Sequence, residues 1–196
     1  MLDVIIVGAG PAGTTAALVL ARAGARVRVI DRAAFPRDKL CGDTINPGTL
    51  AALRELGVAD GVDARGLRID GMLLTGASGV TVEGRYPRGL YGRSLLRRDL
   101  DWALLEHAIR AGAQFESSVA VRRAIVETTA ERIVTGVVTA ARSGNDVELR
   151  APVTIAADGR RSTIAFSLGI AAHPARPRRW AAGAYFEQAG GLSSLG

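Results

Sequence analysis

The chain has 196 residues, of which 48% are hydrophobic and 22% charged, and its formal net charge is +6. These proportions are those of one globular domain, or one and part of another, and they exclude an intrinsically disordered chain. A single cysteine excludes an internal disulfide and is typical of a reducing compartment. No signal peptide is apparent and no uncharged run approaches the roughly 20 residues that span a bilayer, so we expect a cytoplasmic protein.

The basic residues do not form a nucleic-acid-binding pattern. There are 25 of them, and all except Lys39 are arginines spread along the whole chain. Aromatic residues do not alternate with them as they would on a base-stacking surface. We therefore expect no nucleic-acid partner, although a diffuse positive field could attract phosphates or an anionic membrane surface.

A strand, a glycine-rich turn, a helix and a second strand open the chain. The apolar run LDVIIV is typical of a strand buried on both faces. Gly8, Gly10 and Gly13 follow in the spacing G-x-G-x-x-G, and TTAALVLARAG predicts a helix that ends at Gly24. ARVRVID predicts a second strand that ends at Asp31. This order is the order of a dinucleotide-binding unit.

Each residue of that unit has a physical task. Gly8 permits the tight turn, Gly10 lets the backbone approach a pyrophosphate, and Gly13 lets the helix and strand pack closely. The helix N-terminus offers N–H groups to the phosphates, and Asp31 can accept hydrogen bonds from ribose hydroxyls. The alternative is a structural loop that is only glycine-rich, and the motif alone does not distinguish NAD from FAD.

The loop AAFPRDKLCGDTIN follows and carries the only lysine and the only cysteine, Lys39 and Cys41. A loop of this length between elements of a compact domain suggests a segment that lies across a ligand, whereas an NAD dehydrogenase would return sooner to a parallel strand. The loop ends at Asn46 and Pro47, which predict the N-cap and first residue of a helix.

The remaining chain alternates between strand and helix patterns. Residues 67–83 predict an antiparallel hairpin. Arg97 precedes a helix in which apolar residues recur on one face: Leu100, Leu104, Leu105 and Ala108. Several β-rich runs fill residues 119–157, and Asp158-Gly159 stands at the end of the last one, before Ser162 and a further helix.

These segments resemble a known family. DVIIVGAGPAG, Asp31, FPRDKLCGD and NPGTLAALRELG are similar to the geranylgeranyl reductase family of FAD-dependent oxidoreductases, itself related to flavin-dependent halogenases and para-hydroxybenzoate hydroxylase-type monooxygenases. The resemblance implies FAD as cofactor and places Lys39, Cys41 and Gly42 beside its isoalloxazine ring, with Cys41 as candidate catalytic residue. The alternative is that Cys41 is a small buried apolar residue and Lys39 a surface charge.

The resemblance also assigns further cofactor contacts. An R-x-x-x-D segment in the family contributes its arginine to the FAD phosphate or ribityl region, which matches Arg97 here, unless Arg98 or a merely solvated arginine is involved. Asp158 and Gly159 resemble the D-G motif that approaches the cofactor from another side. The expected cofactor-binding residues are Gly8, Gly10, Pro11, Ala12, Gly13, Asp31, Arg32, Lys39, Cys41, Gly42, Arg97, Val121, Asp158 and Gly159, and no metal site is expected.

The fold class implied is α/β: a Rossmann-like FAD-binding domain of the glutathione-reductase type, ββα-layered, with a small antiparallel meander. The family's later G-D motif is not found after residue 159. We therefore expect an N-terminal portion, with residues 1–66 and 95–172 as the FAD-binding domain. Residues 67–94 and 173–196 would belong to an incomplete, β-rich substrate domain, whose first strand would lie in the last segment.

The function implied is FAD-dependent reduction of carbon–carbon double bonds in an isoprenoid lipid or a quinone side chain. The alternatives are an oxygen-activating monooxygenase or halogenase, and an inactive flavin-binding module. The expected partners are a lipid-like substrate and an electron donor, either NAD(P)H or a redox protein. Arg176, Arg178 and Arg179 could contact the inner membrane surface peripherally, although such a Pro/Arg stretch is more often a solvated linker.

Overall fold

The computed structural model describes residues 1–128, 131–140, 146–174 and 181–185. The strands are β1 Val4–Val7, β2 Val27–Ile30, β3 Thr44–Ile45, β4 Leu67–Ile69, β5 Gly71–Thr75, β6 Thr81–Arg85, β7 Gly92–Ser94, β8 Gln114–Glu116, β9 Val121–Thr128, β10 Arg132–Ala140, β11 Asp146–Arg150 and β12 Val153–Ala156. The helices are α1 Pro11–Arg22, α2 Pro47–Glu55, α3 Asp60–Arg65, α4 Arg97–Arg110 and α5 Thr163–Ser167.

Four parallel strands form the central sheet, in the order β12-β1-β2-β8. Val4 of β1 lies opposite Val27 of β2 on one side and Val153 of β12 on the other. All four residues of β1 are buried, as a continuous apolar run predicts for a central parallel strand. The carboxyl ends of β1, β2 and β12 therefore meet at one edge of the sheet.

The two faces of β1 contribute to different apolar clusters. Val4 and Ile6 belong to a cluster that includes residues of α1 and α4. Ile5 and Val7 belong to a cluster that includes residues of β9, β10 and α5. The strands β9, β10 and β11 are antiparallel neighbours in consecutive order. One face of the central sheet thus packs against α1 and α4, and the other against β9, β10 and α5.

Helix boundaries agree closely with the sequence pattern. The side chain of Asn46 accepts a hydrogen bond from the backbone N–H of Thr49 at 2.8 Å, and Pro47 begins α2. Gly24 follows the end of α1 with φ of +86°, a conformation that glycine adopts without strain. The four apolar residues predicted to share one face of α4 are all buried.

The hairpin expected over residues 67–83 forms with different bounds. β5 and β6 pair with each other, but residues 67–69 leave the hairpin and pair with β7 instead. β7 lies between β3 and β4, so these three short strands form a separate antiparallel sheet. Only Asp70 separates β4 from β5, and local alternation in the sequence does not reveal the partner of β4 because β7 lies more than twenty residues downstream.

Several expectations stay predictions. The architecture is mixed α/β, and the glutathione-reductase-type layering and the boundary of a substrate domain stay predictions. Arg176, Arg178 and Arg179 lie outside the described residues. Residues 181–185 are described and form no strand. None of the helices in the described ranges is long and apolar enough to cross a membrane.

Truncation of the α4 core should destabilise the fold. Leu105 is fully buried in the cluster beneath the central sheet. We expect Leu105→Ala to lower the free energy of unfolding by about 2–5 kcal/mol, because it removes buried methyl groups and leaves a cavity. Leu90→Ala is the matched control, since Leu90 is about half exposed and its change should be nearly neutral. Equal losses in urea unfolding would contradict this core assignment.

Candidate cofactor site

The glycine loop between β1 and α1 is shaped by contacts that exclude side chains. Gly8 has φ of +103°, and a Cβ there would meet the backbone of Ala157 and Asp158, just after β12. A Cβ on Gly13 would overlap the carbonyl oxygen of Gly8. At Gly10, in contrast, the nearest atom lies 3.7 Å from such a Cβ. Gly8 and Gly13 therefore permit close packing, whereas Gly10 leaves open space.

The start of α1 faces this open space. Pro11 is the first residue of the helix and Ala12, the second, is exposed. The first turn contains no acidic residue and no side chain caps it. Helix N-termini present free N–H groups and a positive dipole end, so this arrangement can receive a phosphate next to Gly10.

Asp31, at the end of β2, fixes the turn. Its carboxylate is buried and accepts hydrogen bonds from the backbone N–H groups of Ala9 and Ala33, each at 2.8 Å. The carboxylate thereby ties the glycine loop to the end of the second strand. Each oxygen keeps a further lone pair, so the predicted ribose contact remains compatible with this geometry.

Five predicted residues line one cleft of about 150 Å³ at this edge of the sheet. They come from four separate places in the chain: Gly8, Asp31, Arg32, Val121 and Asp158. The cleft lies where β1, β2 and β12 end, which is the edge at which open α/β sheets bind ligands. These five residues, predicted from separate sequence motifs, therefore lie together in the fold.

Asp158 carries an unsatisfied group. Its Oδ2 accepts a hydrogen bond from the backbone N–H of Thr163 at 2.6 Å. Its Oδ1 is buried and has no hydrogen-bond partner among the described residues. Buried polar atoms are nearly always paired, so this oxygen indicates a donor that the described part of the chain does not supply, such as a ligand hydroxyl. Together with the open space at Gly10, it fits a bound dinucleotide.

The loop with the lone lysine and cysteine lies at the surface. Lys39, Cys41 and Gly42 are all exposed. The alternative that Cys41 is a buried apolar residue is therefore wrong, whereas a surface position of Lys39 agrees with the structure. An exposed thiol is accessible to a ligand or reagent.

Arg97 is held beside this loop by two sets of contacts. Its Nε and Nη2 donate to the two carboxylate oxygens of Asp101 at 2.9 and 3.0 Å. Its backbone N–H donates to Oδ1 of Asp43 at 3.1 Å, and Tyr185 donates its hydroxyl to Oδ2 of the same carboxylate at 2.8 Å. The guanidinium is thus next to the cysteine loop rather than free in solvent.

This environment alters the acidity of Cys41. Partial desolvation raises the pKa of the thiol, but hydrogen bonds from the Asp43 backbone and the Arg97 guanidinium, with the positive charge of Arg97, lower it by more. The pKa of Cys41 therefore lies below its ordinary value. Stabilisation of the thiolate by a neighbouring cation is the usual cause of such a decrease.

Sequence reasoning missed Arg37. Its Nη2 is the atom nearest to the position that a side chain on Gly10 would take, and its Nη1 lies 3.1 Å from Oδ2 of Asp101. A cation at this point faces the space left open for a phosphate. The arginine belongs to the FPR segment of the cysteine loop, but nothing local separates it from the many other arginines of the chain.

The fold and the site define a dinucleotide-binding α/β protein, with a glycine loop, an acid at the end of the second strand and a later strand-end aspartate in one cleft. The chain belongs to the FAD binding domain family, whose model matches residues 1–186. The predicted mixed α/β FAD-binding fold and FAD as cofactor are thereby confirmed.

The chain is similar to proteins named as reductases and, among other relatives, to a monooxygenase. It is 38% identical over 185 residues to menaquinone reductase from Mycobacterium tuberculosis, covering 91% of this chain and 40% of that protein. It is 34% identical over 169 residues to digeranylgeranylglycerophospholipid reductase 1 from Methanopyrus kandleri, covering 86% and 42%. A geranylgeranyl bacteriochlorophyll reductase-like structure from Thermoplasma acidophilum superimposes with a TM-score of 0.70 at 26% identity, covering 85% and 41%.

The predicted resemblance to FAD-dependent oxidoreductases of the geranylgeranyl reductase type is confirmed by these matches. The chain spans about 40% of the length of the curated relatives it matches.

Substitutions in the glycine loop should separate binding from folding. We expect Gly10→Val to weaken FAD binding by about tenfold or more, because the valine side chain would occupy the space for the diphosphate. A loss of this size equals that of a charge-assisted hydrogen bond of about 1.5–3 kcal/mol. Thermal stability should change little. Gly13→Ala should lower the melting temperature, since its methyl group would overlap the Gly8 carbonyl. Gly48→Ala is the control, because its Cβ would make only an ordinary contact at 3.6 Å.

The loop prediction is contradicted if flavin titration ranks Gly10→Val with the Gly48 control. It is also contradicted if Gly13→Ala melts like the parent protein.

The reactivity of Cys41 should depend on Arg97. Because Cys41 is the only cysteine, the pH dependence of alkylation by iodoacetamide reports this thiol alone. We expect the midpoint at a lower pH than for an ordinary cysteine, and a shift to higher pH in Arg97→Gln, since loss of the cation disfavours the thiolate. Arg98→Gln is the control, as this exposed neighbour should leave the midpoint unchanged. Equal midpoints in the two variants would exclude Arg97 as the cause.

Proposed function

We propose that this chain is the cofactor-binding part of an FAD-dependent oxidoreductase that reduces carbon–carbon double bonds of an isoprenoid lipid or of a quinone side chain. The observation that carries the proposal is the 38% identity to a menaquinone reductase over 91% of this chain. The similarity to a digeranylgeranylglycerophospholipid reductase supports the same substrate chemistry, since that name refers to a lipid with geranylgeranyl chains.

The chain's own residues would bind and orient the cofactor. The space at Gly10 and the N–H groups of the first turn of α1 would receive the diphosphate. Asp31 and the unpaired oxygen of Asp158 would accept hydrogen bonds from hydroxyl groups in the cleft. FAD, when bound, supplies the hydride-transfer chemistry that no side chain provides.

Cys41 would deliver the proton that completes reduction of a double bond. Its thiol is exposed and its pKa is lowered, so Sγ is a better proton donor than an ordinary cysteine. The thiolate left behind would be stabilised by Arg97, which Asp101 holds in place. Solvent could then return a proton to Sγ between turnovers.

The division into domains is part of this proposal. Residues 1–66 and 95–172 would bind the cofactor, and residues 67–94 and 173–196 would contribute to a substrate-binding part. What supports the division is the hairpin β5–β6, whose strands form a separate two-stranded sheet. Leu74 and Val82 lie opposite each other on this hairpin and are both more than half exposed. Apolar surface of this kind suits contact with further protein or with a lipid-like substrate.

Partners follow from the same chemistry. The reductant would be NAD(P)H or a redox protein, and the protein would contact a membrane surface peripherally when it takes a lipid substrate. An oxygen-activating reaction is the competing possibility, and the two differ in whether reduced protein consumes oxygen in proportion to product.

FAD binding can be tested on the purified chain, and substrate reduction on the oxidoreductase of which we propose that it is the cofactor-binding part. We expect FAD absorption bands to co-purify or to appear on reconstitution. We also expect the dithionite-reduced protein to hydrogenate the side chain of menaquinone, detected by mass spectrometry. Cys41→Ser should bind FAD nearly as the parent does but reduce substrate more slowly, because a hydroxyl is a much weaker acid than a thiol. Cys41→Ala should be slower still.

The outcomes separate the candidate functions. Oxygenated or halogenated product would favour the oxygen-activating alternative. Tight FAD binding without turnover from any electron donor would favour a flavin-binding module. Unchanged turnover in Cys41→Ala would show that Cys41 is not the proton donor, while the reductase proposal would stand.

A further inference from the structure

One buried carboxylate joins two arginines from distant parts of the chain. The side chain of Asp101, in α4, is 0% exposed. Arg97 binds both of its oxygens, and Arg37, from the loop after β2, approaches Oδ2 to 3.1 Å. A charged carboxylate is strongly disfavoured away from water unless cations and hydrogen bonds compensate it. The three side chains therefore form one interdependent unit.

Arg37 lies between this carboxylate and the glycine loop. Nη1 faces Asp101, and Nη2 is the atom nearest to the open space at Gly10, 3.7 Å from a Cβ built there. Nη1 is close enough to Asp101 for an ion pair but is not aligned for a hydrogen bond, and the described residues offer it no other partner. The guanidinium also stacks near Phe35, with its central carbon 4.8 Å from the ring centre.

The unit carries net positive charge at the place where a phosphate would bind. Two guanidinium groups and one carboxylate leave an excess of one positive charge, and α1 begins there without an acidic residue. An arginine fixed by a carboxylate loses less conformational freedom when it binds an anion, because it is already oriented.

We propose that Asp101 is a positioning residue for two arginines. Its carboxylate holds Arg37 against the glycine loop, where Arg37 binds the diphosphate of the cofactor. The same carboxylate holds Arg97 against the cysteine loop. The inference rests on the proposed binding of FAD at the glycine loop. Asp101 would touch neither cofactor nor substrate and would act only through the two arginines.

A double-mutant cycle tests the coupling. FAD and ADP are titrated against the parent chain, Arg37→Gln, Asp101→Asn and the double variant, since ADP contains the diphosphate without the flavin. We expect Arg37→Gln to weaken both ligands by about tenfold in the parent, as for loss of a charge-assisted hydrogen bond. In the Asp101→Asn background the same change should cost about twofold or less, because Arg37 is no longer positioned.

Asp101→Glu separates position from charge. It keeps the negative charge but moves the carboxylate by one methylene, so it should weaken FAD and ADP by about tenfold if orientation matters. Asp63→Asn is the matched control: Asp63 also pairs with two arginines, Arg93 at 2.9 Å and Arg54 at 3.4 Å, away from the glycine loop. It should leave both affinities unchanged.

Three outcomes would overturn the proposal. Additive effects in the cycle would show that Asp101 and Arg37 act independently. Tighter binding in Asp101→Asn would show that the carboxylate only neutralises the arginines. Unchanged binding in Arg37→Gln would show that Arg37 does not contact the diphosphate. This measurement needs no folded variant at position 101.

The arms also separate this proposal from the proposed function. ADP binding with the expected cycle but without FAD binding would refute the flavoenzyme proposal and retain the role of Asp101. FAD binding with the expected cycle but without substrate reduction would refute the proposed activity and retain the role of Asp101. Absence of binding of both ligands to the parent chain would overturn both proposals.

Discussion

The site depends on the absence of side chains where β1, α1 and β12 meet. The carbonyl oxygen of Gly8 occupies the place that a Gly13 Cβ would need, and the backbone after β12 occupies the place of a Gly8 Cβ. Any larger residue at either position would force the helix or the strand away. Because the contact is allowed, Gly8 and Asp158 line the same cleft although 150 positions separate them (158 − 8). The cofactor site is therefore a consequence of backbone packing before it is a set of functional side chains.

Two buried acids then fix the surroundings of that contact in different ways. Asp31 is satisfied by the backbone N–H groups of Ala9 and Ala33, so it holds the glycine loop to the end of β2. Asp101 is satisfied by guanidinium groups, so it fixes charged side chains rather than the backbone. Each carboxylate must be compensated because desolvation of an unpaired charge costs several kcal/mol. The first acid shapes the site, and the second sets its charge.

Local patterns in the sequence predicted what local physics determines. The strand–turn–helix–strand order, the Asn46 cap and the buried face of α4 follow from periodicity, capping and glycine spacing, and the structure shows each of them. The strand at residues 67–69 was assigned to the wrong partner because its pairing with β7 is non-local. Arg37 was missed for the same reason, since its significance comes from Asp101 and Gly10, which are distant in sequence.

The meeting of Cys41 and Arg97 shows how a short strand can carry out such long-range placement. In the antiparallel pair β3–β7, Thr44 lies opposite Ser94 and Ile45 opposite Arg93, so paired residue numbers sum to 138. Extending that register away from β3 and β7 pairs Asp43 with Leu95, and the backbone N–H of Leu95 indeed donates to the Asp43 carbonyl at 2.9 Å. This hydrogen bond fixes the chain just before α4 against the loop that carries Cys41, so that Arg97, the first residue of α4, lies beside the thiol and, after the backbone of Asp43, helps to lower its pKa. The next turn of α4 supplies Asp101, which holds the guanidinium in place.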